Sequence, residues 1–305
     1  MDICIATPEL DDTNEHRFEK IDKLYVKTPK TIEIFKAIDL CRSSAKSSHE
    51  PYCILIEGDK GTGKTSLGIE YIKSMKVNHT REAQHVPGIM ATIPVRPTER
   101  KVAQEILRAF NEPFYNKGNA FVLEDRSHKL MDKLGTEIAF FDEIQHFRDK
   151  ENKKDLLNAT DWLKNYMKLK VLPCVFMGIS QQAKSVINSN SQLSSLFIDC
   201  FELKDFSWDT KLPETITEFR SFLKSVQINL PLKNNKQTDL CESALAQEIF
   251  TATGGSLRKI MRLIRCAATD AILTGQEYID RGLLASAFYK VGQCLSHDNV
   301  NPFLE

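Results

Sequence analysis

The stretch GDKGTGKT at positions 58–65 constrains this chain more than any other. Gly58, Gly63, Lys64 and Thr65 fit the spacing G-x-x-x-x-G-K-[ST], with an apolar run, YCILIE (52–57), before them and a helical pattern, TSLGIEYIKSM, after them. Glycines let a backbone fold tightly enough for successive N–H groups to converge on phosphate oxygens. The helix that follows offers its positive N-terminal end to the same anion. Gly58, Asp59, Lys60, Gly61, Thr62, Gly63, Lys64, Thr65 and Ser66 are therefore expected to cradle the phosphates of ATP. Lys64 is expected to reach the β- and γ-phosphates, and the Thr65 hydroxyl to ligate Mg²⁺. A glycine-rich turn with a coincidental lysine is the competing reading; the strand before and the helix after weigh against it.

A phosphate loop of this kind needs a carboxylate on another strand, and IAFFDE supplies one in Asp142, followed by Glu143. Asp142 is expected to hold Mg²⁺ with Thr65, and Glu143 to polarise the attacking water. Two solvated acids at a strand end are common; here the first motif demands such a group.

Strand-like and helical segments alternate along the first two thirds of the chain. Helix is expected over 28–42, where Thr28 caps and Pro29 opens it, and over 99–110 and 155–170, with 126–135 as the end of another. Strands are expected over 52–57, 88–97, 137–143 and 172–180. Continuous apolarity in YCILIE predicts a strand buried on both faces. Such alternation predicts an α/β fold, a parallel sheet with helices on both sides. From about residue 206 the pattern becomes helical, over 213–226, 241–253, 256–275 and 280–290. The expected organisation is a flexible segment 1–20, a P-loop core 21–205, a small all-helical lid 206–290 and a tail 291–305.

Lys plus Arg and Asp plus Glu both total 41, so net charge is zero and a uniformly basic nucleic-acid binder is excluded. Eight cysteines occur singly, without a CxxC pair. Cys53, Cys174 and Cys266 sit in apolar runs, where a thiol is usually a small buried hydrophobe. The start MDICIATPELDD lacks the pattern of a signal peptide, and no run is long enough for a membrane span. A soluble, cytoplasmic protein is expected.

With DEIQHF (142–147), VFMGIS (175–180), NSQLSSLF (190–197) and the lid stretch TGGSLRKIMRLIRCAATDAI in view, the chain resembles the AAA+ ATPases of the TniB/TnsC type, which regulate DNA transposition. Relatives of that type include the ATPases of Mu-like phage and of IstB-type elements. The resemblance spans roughly residues 20–290 and implies a AAA+ αβα core with a helical lid, in a bacterial cytosol and close to the nucleoid. It implies that Ser180 is a small polar sensor near the γ-phosphate; a capping role for the helix that follows is the other reading. It implies that Arg258 is the lid arginine that reaches the γ-phosphate, against the alternative of a surface cation, with Lys259 as the substitute. In one respect the chain departs from the family: no arginine lies between Arg148 and Arg220, so the usual trans-acting finger is missing from its segment, where Lys184 and Lys204 are the nearest cations. Slow hydrolysis is the expected consequence.

The resemblance also implies an ATP-dependent homo-oligomer, ring or filament, that assembles on double-stranded DNA and connects a target-selection protein with a transposase. Arg96, Arg100, Lys101, Lys117 and Asn119 lie at the two places where relatives face the central DNA. For each alone, a solvated surface residue is the ordinary reading. A helicase-loader-like or partner-switching signalling ATPase is the alternative function, and a nucleotide-binding module without turnover a third, which the Asp142–Glu143 pair opposes. Finally, Phe303 and Leu304 in the tail read either as a frayed terminus or as an exposed anchor for a transposition partner.

Overall fold

The structure is a computed structural model that describes residues 13–45, 47, 49–75, 85–149, 153–291 and 300–304. Its elements run α1 (Asn14–Asp22), α2 (Pro29–Ser44), β1 (Cys53–Gly58), α3 (Lys64–Ser74), β2 (Gly88–Thr92), α4 (Glu99–Ala109), α5 (Ala120–Leu134) and β3 (Ile138–Asp142). After a 3₁₀ segment, Ile144–Asp149, come α6 (Lys153–Lys170), β4 (Cys174–Gly178), α7 (Gln182–Asn188), α8 (Ser191–Ser194) and β5 (Phe197–Leu203). Four helices follow, α9 (Pro213–Asn229), α10 (Ser243–Thr253), α11 (Leu257–Leu273) and α12 (Arg281–Val291). The chain divides into two compact units, Lys27–Lys204 and the described residues of Met1–Val26 with Asp205–Glu305.

In the first unit five strands form one sheet in the order β2-β3-β4-β1-β5, every pair parallel. Helices cover both faces, as the alternating pattern predicts. Cys53 and Leu55 of β1 enter a core with α4, α6 and α7, whereas Ile54 and Ile56 enter a second core with α2 and α3. Both faces of β1 are dry, which is why YCILIE has no polar alternation. Thr28 caps α2 by accepting from Thr31 N at 3.2 Å, and Thr31 answers by accepting from Thr28 N at 2.8 Å. β2 ends at Thr92, five residues short of the expected strand, because Pro94 and Pro97 deny the ladder its donors.

The fifth strand, β5, was not expected from the sequence. It lies at the sheet edge, where Asp199 and Glu202 reach solvent, so FIDCFEL carries charge that a central strand would exclude. Cys53 and Cys174 are fully buried, and burial pushes the Cys174 thiol well up; Cys266, in the other unit, is only half-buried.

In the second unit α9–α12 enclose one apolar core. Residues 14–20 of the expected flexible segment, together with Ile21 and Asp22, expected at the start of the P-loop core, form α1, which packs Ile21 against α9–α12. Arg17 is buried there, donating to the Pro231 carbonyl at 3.0 and 2.8 Å and pairing with Glu277. Residues 1–12 of the expected flexible segment lie outside the described residues, as do 292–299 and 305 of the tail. The described tail corrects the expectation of an exposed anchor. Phe303 is 4% exposed and packs on Phe288, while Asn301 Nδ2 donates to the Ala285 carbonyl at 3.1 Å. Leu304 alone of the pair stays exposed. A benzyl side chain finds more apolar contact in the lid core than in water, which decides its placement.

Candidate functional site

The phosphate loop sits at the carboxyl end of β1, the position at which open parallel sheets bind ligands. Gly61 and Gly63 have φ of 97° and 92°, a region a side chain would strain. Gly58 is needed for a different reason: a Cβ there would lie 2.4 Å from the Leu203 carbonyl of β5 and 2.8 Å from Thr62 Oγ1. The loop is closed by Thr62 Oγ1, which donates to the Asp59 carbonyl at 3.0 Å. Lys64 is the first residue of α3, and its ammonium donates to the carbonyls of Gly58 and Asp59 at 2.7 and 2.8 Å. A buried cation is thereby held under the loop, and α3 directs its unbonded first-turn N–H groups at the same place.

Asp142 ends β3, and β4 separates it from β1. Thr65 Oγ1 nevertheless donates to Asp142 Oδ2 at 2.6 Å, so the two expected metal ligands converge. Asp142 is 5% exposed. Burial pushes its carboxyl up from the usual carboxylate range, against the opposing pull of the Thr65 hydroxyl, the Glu143 N–H and the Lys64 charge. Two hard oxygens, one a carboxylate short of compensating charge, form a donor set that suits Mg²⁺.

Glu143 follows with φ of 61°, a strained conformation for a residue with a side chain. Its carboxylate accepts from Gln145 Nε2, and Gln145 Oε1 in turn accepts from Ile179 N at 3.2 Å. Gln145 is buried, and a Cβ on Gly178 would lie 2.6 Å from its Oε1. Reasoning on the sequence overlooked Gln145. The available signal was a neutral amide, rather than an apolar residue, two positions after the acid pair. Ser180 comes next after Ile179, so the expected sensor lies two residues past the end of β4, the strand between β1 and β3. Its carbonyl accepts from Gln182 N at 2.7 Å at the start of α7.

His146 was also overlooked. Its Nδ1 lies 2.7 Å from the Ile93 carbonyl, and Ile93 N donates to the Asp142 carbonyl at 2.8 Å. The exit of β2, three residues before Arg96, is thereby tied to the acidic motif. Of the two cations near the missing finger, Lys184 pairs with buried Glu57 and Lys204 pairs with Glu202 at 3.0 Å.

The expected nucleic-acid residues are exposed and fall on one hairpin, α4 and α5 with the loops around them. Arg100 donates to the carbonyls of Gly118 at 3.1 Å and Asn116 at 3.2 Å, which joins the two basic stretches. Lys101 reaches the Arg96 carbonyl at 3.4 Å, and Lys117 lies over the Phe114 ring. Asn119 caps α5 by accepting from Val122 N at 3.0 Å. Arg258 belongs to the other unit, as the second residue of α11, and is exposed. There Gly254 and Gly255 have φ of 60° and 74°, and a Cβ on Gly255 would lie 2.0 Å from the Phe206 carbonyl. Arg258 and Lys259 place charge at the helix end that disfavours cations, so helix stability does not account for them.

No helix among the described residues is long and apolar enough to cross a membrane. No curated protein matches the chain. Among solved structures it is similar to the Aeropyrum pernix ORC2 protein with ADPNP and ADP, at TM-score 0.62 and 14% identity, over 89% of this chain and 71% of that one. It is also similar to the Aeropyrum pernix ORC1 protein in complex with DNA, at TM-score 0.59 and 17% identity, over 90% and 69%. A third similar structure is Cdc6p from Pyrobaculum aerophilum, at TM-score 0.59 and 14% identity, over 92% and 71%. These likenesses show a shared AAA+ fold. The model of the bacterial TniB protein family matches residues 17–207, which include the phosphate loop, the acid pair and the α4–α5 hairpin. The chain therefore belongs to the bacterial TniB protein family and is an ATPase built on the AAA+ fold.

Proposed function

We propose that this chain is an ATP-dependent regulator of DNA transposition. It assembles as a homo-oligomer, ring or filament, on duplex target DNA and presents that DNA to a transposase, under the direction of a target-selection protein of the same element. The α4–α5 hairpin carries the reading: Arg100 draws two basic stretches that are distant in sequence onto one exposed surface within the TniB-matched region. The similar ORC1 structure was solved in complex with DNA, which supports a nucleic-acid ligand. Each protomer offers few cations, but an oligomer repeats them along the duplex, and affinity grows with the phosphates neutralised. Contacts of this kind are made to phosphate and select sequence weakly.

In the reaction, the loop N–H groups and Lys64 hold and orient the triphosphate. Thr65 and Asp142 would hold Mg²⁺, which would supply charge neutralisation for the triphosphate. Glu143 accepts hydrogen bonding from the attacking water and draws off its proton. Gln145 keeps the Glu143 carboxylate turned toward the end of β4, where Ser180 stands near the γ-phosphate. Arg258 is assigned the role of γ-phosphate sensor on the family resemblance alone. With Lys184 and Lys204 committed to Glu57 and Glu202, no residue of the finger segment supplies a trans-acting cation. A finger accelerates related reactions by about 10³–10⁵, so turnover is slow and the assembled state long-lived.

Electron micrographs of the protein with a non-hydrolysable ATP analogue and plain duplex DNA test the reading. Ordered rings or filaments on the duplex, absent without nucleotide, are the expected result. Replacing Lys101 and Lys117 by alanine is expected to weaken binding and to lower the salt slope by about 0.9 per lysine. Assembly only on single strands, or only with a helicase present, refutes this function in favour of a loader.

A further inference from the structure

The hairpin that carries the cations also exposes more apolar surface than a solvated connection needs. Phe121 is 78% exposed, Phe114 51% and Val122 46%, and Val95, beside Arg96, is 60% exposed. Single exposed apolar residues are ordinary; four on one hairpin call for a ligand. Phe121 has no part in the folding of α5, whose buried stripe is Leu123, Ser127, His128 and Met131.

The loop beneath these residues is held from both sides. Arg100 of α4 takes the carbonyls of Asn116 and Gly118, and Arg126 of α5 takes those of Phe114, at 3.1 Å, and Lys117. Gly118 has φ of 125°, and a Cβ on it would meet the Val122 side chain at 3.0 Å. Asn119 then caps the helix that carries Phe121. Such a loop presents its side chains with little ordering left for a ligand to impose. Charge indicates the ligand. Arg96, Arg100, Lys101 and Lys117 lie on the same hairpin as the apolar residues, and of its acids Glu112 faces Arg126 at 3.9 Å, Asp125 pairs with Lys129 at 2.7 Å and Glu99 opens α4. Lys117 sits 4.6 Å from the centroid of Phe114, so cation and ring share one surface.

We propose that Phe121 is a wedge that enters the groove of the bound duplex and stacks against, or parts, a base step while the flanking cations hold the phosphates. The proposal rests on the duplex-binding reading above and adds a contact to the bases. Every base has a face on which an aromatic ring can stack, so the contact suits a protein with little sequence preference. A wedge also unstacks and bends the DNA it enters, which phosphate contacts alone do not.

The test uses the full chain, a non-hydrolysable ATP analogue and a duplex carrying 2-aminopurine, whose fluorescence rises when a base unstacks. Wild-type protein is expected to raise the fluorescence. Phe121→Ala is expected to bind the duplex about tenfold more weakly, as loss of one stacked base predicts, with the salt slope unchanged and no fluorescence rise. Lys117→Ala is the contrasting control, expected to lower the slope. Phe121→Leu, which keeps an apolar side chain, is expected to recover part of the affinity. Equal affinity and equal fluorescence for Phe121→Ala and wild type overturn the wedge and leave duplex binding standing. A wild-type protein that does not bind duplex removes the underlying reading and the wedge with it. If Phe121→Ala instead loses self-association measured by sedimentation without DNA, the patch is an interface between copies, and the wedge is refuted.

Discussion

Phe303→Ala is the perturbation whose size follows most directly from the structure. The side chain is almost wholly buried in the lid core, against Phe288. Replacing a core phenylalanine by alanine costs about 3–5 kcal/mol when the cavity persists. Phe303 lies close to the end of the described chain, however, so the mutant can release the segment 300–304 instead of keeping a void. Release gives up the transfer free energy of one phenylalanine, about 1.5–3 kcal/mol. It also gives up the bonds of Asn301 to the Ala285 carbonyl and the Phe303 N–H, at about 1 kcal/mol each. The two routes come to nearly the same figure, so the expected loss is about 3–5 kcal/mol. The chain's two tryptophans fall one in each unit, so the lid can be read separately. In a Trp162→Phe background, Trp208, edge-on to Phe219 and tilted against Phe250, reports lid unfolding in urea. At about 1–3 kcal/mol per molar, the midpoint should fall by at least about 1 M. An unchanged midpoint would show that Phe303 lies outside the core and that the tail is free, as the sequence alone suggested.

Four further variants have expected outcomes. Lys64→Ala should abolish tight ATP binding, because it removes the cation held under the loop; labelled nucleotide bound at unchanged affinity would sink the nucleotide site. Glu143→Gln should bind ATP yet stop turnover and accumulate the assembled state, whereas Gln145→Leu should lower kcat with little change in nucleotide affinity. Normal turnover by Glu143→Gln would mean that another group is the base. In the lid, the Arg17 guanidinium, together with the Lys233 N–H, holds the Glu277 carboxyl below the usual carboxylate range. A depressed folded-state pKa stabilises at pH above the unfolded value of about 4.3, and that stability is lost as pH falls through the folded value. Arg17→Ala should therefore weaken the lid at neutral pH and flatten its loss of stability below about pH 4. An acid titration of lid stability that is identical for both proteins would refute the assignment.

Which parts of this molecule are readable from the chain alone follows from the range of the forces involved. The phosphate loop is local: Gly61 and Gly63 declare positive φ, Lys64 opens the next helix, and YCILIE announces a strand dry on both faces. Asp142 and Glu143 could be placed because a strand end is also a local event. The lid helices follow from their own periodicity, and all four formed over nearly the expected spans. What the chain alone did not show depends on partners distant in sequence. Gly58 is required by the Leu203 carbonyl of β5, 145 positions away, and β5 reads as a strand only once it has a sheet edge to join. Gln145 becomes a partner of Glu143 because the end of β4 supplies Ile179 N for its other oxygen. α1 is polar along most of its length and is held by Arg17 on Pro231 and Glu277, more than 200 residues later. Phe303 illustrates the same limit at the other terminus. An apolar residue near a chain end looks exposed until a core is present to accept it, and transfer of its ring out of water then decides where it lies.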